Sequence, residues 1–322
     1  MKLNSGFQRF IRVNTETITI YAVLIVIVIV GAVLSPDFTK SENLLNVLLQ
    51  SVALGLVATG QTVVILSGGL DLSVGATISM VAVYSSGLMN GRPGLGVIAP
   101  ILLLTVSMAL AAGFFNSALI TRLRITPFIA TLSTGSIVQG VVLMYAKRPK
   151  GLISPEWSFM AQMKIGPVHF AIIFLAIIIG ITYFILSKTT LGRYIYATGG
   201  NETTARLSGI RTGRVLIFVY TFSSLMAALT ALFLISRMGI GDPQVGGLNY
   251  QRYDLESIAA VLVGGTALGG GVGSVIGTIA GVIIITLLNN IFNMVGVSTF
   301  YQWIIKGAII VGAIALYRTR KR

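Results

Sequence analysis

The chain has 322 residues, 55% of them hydrophobic and 10% charged, with 23 basic side chains against 9 acidic ones. Its mean hydropathy is +0.90, which excludes a soluble globular domain, because such a domain needs far more polar surface. Cysteine is absent, which excludes a disulfide framework and a thiolate metal site, and the single histidine, His169, has no second imidazole with which to build a metal or proton site.

Apolar runs of about 20 residues, the length that crosses a hydrocarbon core, fall near 16–34, 44–66, 72–90, 95–120, 126–146, 167–187, 215–235, 256–269, 272–290 and 300–317. They predict an all-α integral membrane protein of about ten transmembrane helices, a single transmembrane domain over 1–322. The eighth run is short, which predicts a broken or re-entrant helix near 256–272. Lys2, Arg9 and Arg12 precede the first run as they would a signal peptide. Its apolar part is too long for one, however, and Pro36 spoils the candidate cleavage region Val33-Leu34-Ser35, so a retained span is expected.

With the N-terminus in the cytoplasm, ten spans put most of the 23 basic residues inside, including those of 188–214 and of the C-terminal Arg318, Arg320, Lys321 and Arg322. The positive-inside rule then places both termini in the cytoplasm. The net charge of +14 becomes a topology signal, and no aromatic-interleaved basic patch points to nucleic acid.

Between the second and third runs stands VILSGGLDLSVGATISM. Gly68 and Gly69 suit a left-handed helix end, Asp71 suits the cap of the following helix, and Ser73 falls in that helix's first turn. A carboxylate this close to membrane depth also marks a polar path. Leu66-Ser67-Gly68-Gly69-Leu70 imitates the LSGGQ signature of ABC ATPases, but its flanks are of membrane grade and the match is read as coincidence.

Other polar residues at membrane depth are Gln61, Asn116, Thr131, Ser133, Gln139, Asn289 and Asn290. With Asp71 and Ser73 they are candidates for lining a path for a neutral polar solute, which needs hydroxyl and amide partners that hold it weakly. Each serves equally well as an interhelical hydrogen bond, and Asn289 and Asn290 suit a helix cap or an outer docking face. The long outer loops, 147–167 and 236–257, carry charges and Trp157, which fit either a docking rim or an interfacial anchor.

The segment KTTLGRYIYATGGNETTARLSGIRTGR over 188–214 has five basic residues and one acid, Glu202. It is too polar for lipid, still reads as helical, and is the natural place for a soluble partner to grip the chain. Further on, Gly265, Gly269, Gly273, Gly277 and Gly281 recur every fourth residue. That spacing predicts a small-residue groove for helix packing, while the cluster 269–271 with Gly273 predicts a helix break lining a polar route. The likeness between 64–80 and 261–277 suggests a weak internal repeat. Lys306 in the last run is expected to snorkel to the headgroups.

No G-x-x-x-x-G-K-[ST] phosphate loop occurs, so the chain lacks the means to hold a triphosphate and magnesium. Nor are paired carboxylates, a histidine cluster or an activated nucleophile visible, and no catalytic residue is assigned.

GQTVVILSGGLDLSVGA, TPFIATL, LGRYIYATGGNETTARLSGI, LESIAAVLVGGTALGGGVGSVIGT and LLNNIFNMVGVSTFYQWIIKG, in this order, resemble the permease subunits of bacterial ABC importers for ribose and related simple sugars. The resemblance runs from about the first span to the end. It implies a multi-pass subunit of the bacterial cytoplasmic (inner) membrane, paired with a second copy or a homologue as a dimeric pore. It also implies separate ATPase subunits that carry ATP and Mg on the cytoplasmic side, and an extracytoplasmic sugar-binding protein. Ribose is the first expectation; xylose, galactose, other pentoses and hexoses and an autoinducer sugar are served by similar permeases.

In such permeases a short cytoplasmic helix sits in a cleft of the ATPase, and the matching stretch here is Gly192–Gly209 within the 188–214 coupling segment. The resemblance gives contact roles to Gly192, Arg193, Tyr194, Tyr196, Asn201, Glu202, Ala205, Arg206 and Gly209, with Tyr194 and Tyr196 as apolar knobs. The segment departs from the E-A-A pattern of many importers, since Glu202 precedes Thr203 and Thr204. The competing class is an ion-gradient-driven secondary transporter of a small polar solute, which would need buried acids or histidines as ion carriers; Asp71 is the only acid near membrane depth outside an evident loop.

Overall fold

The computed structural model describes residues 5–247, 252–305, 307 and 308, with side chains described from Ile20 onward. Its helices are α1 (Ser5–Leu34), α2 (Ser41–Leu66), α3 (Val74–Met89), α4 (Leu95–Thr121), α5 (Pro127–Tyr145), α6 (Phe159–Gln162), α7 (Phe170–Lys188), α8 (Thr190–Gly200), α9 (Glu202–Leu207), α10 (Thr212–Met238), α11 (Tyr253–Val263) and α12 (Val275–Met294). The strands β1 (Lys164–Ile165) and β2 (Val168–His169) form one small antiparallel hairpin before α7. Lys306 and most of the predicted run 300–317 lie outside the described residues.

Among the described residues six helices are long and apolar enough to cross a membrane: α2, α4, α5, α7, α10 and α12. α3 and the apolar stretch Ile20–Leu34 of α1 are shorter. α2 and α10 form the centre, buried on nearly all faces over their apolar length and packed against each other, with α10 also against α3 and α4 and α2 against α11 and α12. Such all-round hydrophobicity is what a membrane-protein core requires. The outer helices α4, α5 and α7 turn large apolar side chains away from the protein, among them Leu103, Met144 and Phe184. A bilayer accepts these because helices satisfy their own backbone groups.

The ends of the elements follow local chemistry. α5 opens with Pro127 at its first position, where the missing N–H costs nothing. Thr189, Asn201 and Ser274 cap α8, α9 and α12 by accepting the backbone N–H of Gly192 (3.2 Å), Thr204 (2.9 Å) and Gly277 (3.1 Å). Gly239 ends α10 in the left-handed region at φ 77°.

The structure departs from the glycine-periodicity expectation. Residues 264–274 are not helical, so Gly265, Gly269 and Gly273 do not share a helical groove with Gly277 and Gly281. Only the last two sit on a helix, where Gly277 faces the carbonyl of Gly264 and Gly281 the carbonyl of Ala260 too closely to admit a Cβ. Gly265, Gly270, Gly271 and Gly273 adopt positive φ, so a period of four here reflects turns rather than a stripe.

Candidate functional site

The loop between α2 and α3 is built around Asp71. Its Oδ1 accepts the backbone N–H of Ser73 (3.0 Å) and the Ser73 hydroxyl (2.6 Å), and its Oδ2 accepts the hydroxyl of Ser223 on α10 (2.8 Å). Asn116 of α4 donates to Ser73 Oγ at 2.8 Å. With its amide turned to satisfy both groups, Gln61 donates to the Asp71 carbonyl and accepts from the Asp71 N–H, each at 3.2 Å. Thr131 of α5 accepts the N–H of Leu72 (3.1 Å), and its one hydroxyl proton is shared between the carbonyls of Pro127 (2.9 Å) and Leu70 (3.2 Å). Asp71 is fully buried and its carboxylate takes part in three hydrogen bonds, as a buried polar group requires.

Five of the predicted path residues, Gln61, Asp71, Ser73, Asn116 and Thr131, therefore meet in one network. The helix cap is shifted, since Ser73 is the N-cap of α3 and Asp71 bonds Ser73 instead of the first turn. Gly68 is left-handed at φ 87°. Gly69 is not, and is required small because the Tyr220 hydroxyl stands against it. Gln139 lies apart and donates to the carbonyl of Pro243 at 3.0 Å, and Ser133 is exposed on α5. Asn290 exchanges hydrogen bonds with Asn43 of α2 at 2.9 and 3.1 Å, tying α12 to α2, while Asn289 stands beside it with a buried Oδ1. Trp157 is turned inward and donates Nε1 to the carbonyl of Leu232 at 3.1 Å.

The 188–214 segment folds as two helices broken at Asn201, not one. Ile195 and Ala205 anchor α8 and α9 inward. Gly192 permits the tight α7–α8 corner, since a Cβ there would lie 2.5 Å from the carbonyl of Ile185. Glu202 pairs with Arg206 at 2.6 Å and accepts the hydroxyl of Thr212 at 3.0 Å. Gly209 follows α9 at φ 84°, and Arg193 and Asn201 are exposed. Tyr194 is exposed, whereas Tyr196 is half-buried with its hydroxyl turned inward. Its hydroxyl donates to the carbonyl of Gly273 at 2.9 Å, and burial raises its pKa above the ordinary phenol range, so it stays a donor. Leu207, 86% exposed, is an apolar projection that the sequence does not signal, because an apolar residue inside a helical run gives no sign of facing out.

Three glycine-rich backbones meet at the end of α8. Gly271 donates its N–H to the carbonyl of Leu66 at 3.0 Å. A Cβ on Gly270 would lie 2.8 Å from Gly68 Cα, one on Gly199 would lie 2.8 Å from Gly271 N, and one on Gly271 would lie 2.8 Å from Gly200 Cα. The 67–73 loop, the end of α8 and the 264–274 connection are thus in backbone contact.

Two cavities flank the 67–73 loop. One, of about 960 Å³, is lined by Ser67, Gly68 and Gly69, the α4–α5 turn and the 202–216 stretch. The other, of about 640 Å³, is lined by Leu72, Gly75, the α5 face from Leu132 to Leu143, Gln244, Gly246 and Asp254. Among the described residues there is no group of three or more His, Asp or Glu side chains arranged to hold a metal.

Residues 43–314 match the family model described as branched-chain amino acid transport system / permease component. Over 304 residues the chain is 40% identical to ribose import permease protein RbsC of Bacillus subtilis (strain 168), covering 92% of this chain and 91% of the relative. It is 35% identical to ribose import permease protein RbsC of Escherichia coli (strain K12), over 93% of this chain and 92% of the relative. It is 33% identical to galactose/methyl galactoside import permease protein MglC of the same strain, over 92% of each. No solved structure matches the chain. The chain belongs to this family of transport-system permease components, and as such is a membrane-spanning transport subunit and not itself an enzyme.

Proposed function

We propose that this chain is the permease subunit of an ATP-driven importer, passing a simple sugar, ribose first, across the bacterial inner membrane. The observation that carries this is the full-length similarity to a ribose import permease at 40% identity. Relatives named for ribose and for galactose both align over more than nine-tenths of the chain, which favours a sugar over the amino acid in the family's description. ATP and Mg belong to separate subunits, because the sequence has no phosphate loop.

In this reading 1–322 is a single transmembrane permease domain crossing the membrane about ten times. The six long spans are joined by α1, α3, α11 with its non-helical 264–274 extension as the broken element, and the 300–317 run. Both termini and the 188–214 segment face the cytoplasm, as the distribution of basic residues favours. The paired arrangement of α2, the 67–73 loop and α3 with α11, the 264–274 connection and α12 supports an internal repeat.

The α8–α9 segment is the coupling element that docks on the ATPase. Tyr194, Leu207 and Arg193 offer exposed contacts, while Gly192, Ala205, Asn201, Gly209 and the Glu202–Arg206 pair shape it. The polar network around Asp71, with Gln139 and Ser133 on α5, borders the sugar's route, and a second copy or a homologue completes the pore. An extracytoplasmic binding protein delivers the sugar to the face opposite the coupling segment.

Reconstitution with the ATPase and binding protein tests this. ATP-dependent uptake of ribose above xylose, galactose and leucine is expected. Uptake driven by an ion gradient without ATP would replace the reading with secondary transport.

A further inference from the structure

The two cavities are bordered by opposite ends of one loop, 67–73. Ser67, Gly68 and Gly69 line the cavity beside the coupling segment, and Leu72 lines the other. Along α5 the order repeats, with Pro127 in the first cavity and Leu132 in the second. Thr131 falls between them and bonds the loop on both sides of Asp71, at Leu70 O and Leu72 N. The boundary between the cavities is therefore Leu70-Asp71-Leu72 clamped to Thr131.

Nothing in that boundary is regular structure. It is held by side chains of three helices: Gln61 of α2 on the N–H and carbonyl of Asp71, Thr131 of α5 on the backbone of Leu70 and Leu72, and Ser223 of α10 on the Asp71 carboxylate. A few hydrogen bonds hold it, and a few must break for it to move. Around it the Asn116 Oδ1, the Tyr220 hydroxyl and the Ser224 Oγ are buried without a partner among the described residues, a set of groups suited to sugar hydroxyls.

The same loop touches the element expected to move. Gly68 packs on Gly270, and the end of α8 at Gly199 is wedged between the Leu66 carbonyl and Gly271. Contacts of backbone on backbone leave little compliance, so a shift of α8 displaces the loop directly.

We propose that Leu70-Asp71-Leu72 is the barrier of the translocation route, and that Asp71 is the positioning residue that latches it shut through Ser223 and Ser73. Coupling-segment motion at Gly199 is what releases it. The inference deepens the ATP-driven permease reading and rests on it for the direction of motion.

The chain has no cysteine, so one introduced thiol reports alone. Ser136→Cys places it in the cavity away from the coupling segment, and Thr126→Cys in the cavity beside it. In the nucleotide-free complex with its ATPase, in proteoliposomes, a membrane-impermeant maleimide is expected to label each thiol from one face only, and from opposite faces. Adding Ser223→Ala, or the near-isosteric Thr131→Val, is expected to expose Ser136→Cys to the coupling face with labelling at least about tenfold faster, the scale of one lost hydrogen bond. A purely structural role would lower the unfolding temperature and leave this sidedness intact.

Labelling of Ser136→Cys from both faces in the otherwise unaltered chain would overturn the barrier. So would unchanged sidedness in folded Ser223→Ala and Thr131→Val. ATP-driven uptake measured on the same vesicles separates the two claims. Uptake with unaltered sidedness in both variants refutes the barrier alone, whereas switched sidedness without any ATP dependence refutes the permease reading and the coupling of the barrier to it.

Discussion

Tyr196 on α8 donates its hydroxyl to the carbonyl of Gly273, 2.9 Å away and 77 residues on in the chain. The bond fastens the proposed coupling helix to the non-helical connection between α11 and α12. The contact is the only side-chain hydrogen bond among those described that runs from α8 to that connection, the rest of the junction being backbone on backbone.

Tyr196→Phe removes that bond and leaves the ring in place. Uptake per ATP hydrolysed is expected to fall by roughly tenfold, the equivalent of one hydrogen bond lost, with unchanged assembly on the ATPase. Equal coupling ratios in the two proteins would remove Tyr196 from the transmission route.

Gly199 and Gly200 are neighbours with opposite demands. A Cβ at Gly199 would run into the Leu66 carbonyl and Gly271, whereas one at Gly200 meets nothing within 4 Å. Gly199→Ala is expected to cost about 1–3 kcal/mol, read as a lower unfolding midpoint in detergent, and Gly200→Ala to leave it unchanged. Equal midpoints would mean that α8 sits less tightly in the junction.

Much of this is legible in the sequence, and the remainder has a common physical cause. Helices α2, α4, α5, α7, α10 and α12 declare themselves by apolar length, which a bilayer enforces residue by residue. Asp71 stands out as an acid among apolar neighbours, and its bond to Ser73 is local. Its bond to Ser223 is not, since it spans 152 positions. The meeting of Gly68, Gly199 and Gly271 was beyond reach for a further reason: glycine has no side chain to signal what it touches. The four-residue glycine period over 265–281 resembled a packing groove because spacing alone does not distinguish a helix from successive left-handed turns. The inward turn of the Tyr196 hydroxyl is not legible either, since periodicity does not fix which face of a short amphipathic helix finds a partner.

The Glu202–Arg206 pair is exposed, with side chains 47% and 66% accessible, so it contributes little to stability. Glu202→Gln is expected to leave the unfolding midpoint in place while reducing transport-coupled ATP hydrolysis severalfold. A drop in stability with normal coupling would reassign Glu202 to holding α9 against Thr212.

Asn43 and Asn290 tie α2 to α12 through reciprocal amide bonds. Asn290→Ala is expected to lower stability by about 1 kcal/mol, with a KM for the sugar that does not change. A shifted KM at unchanged stability would return Asn290 to the translocation route.

The central claim is that this chain passes sugar under the control of a separate ATPase gripped by α8 and α9. Its most direct test is ATP hydrolysis by the complex purified on the tagged chain from native membranes, measured with and without each sugar-loaded binding protein. The account predicts a co-purifying ATPase whose rate rises with one loaded binding protein, ribose-bound first, and a rise lost in Glu202→Gln. A chain that purifies without any ATPase, yet moves solute in proteoliposomes under an ion gradient, would contradict it.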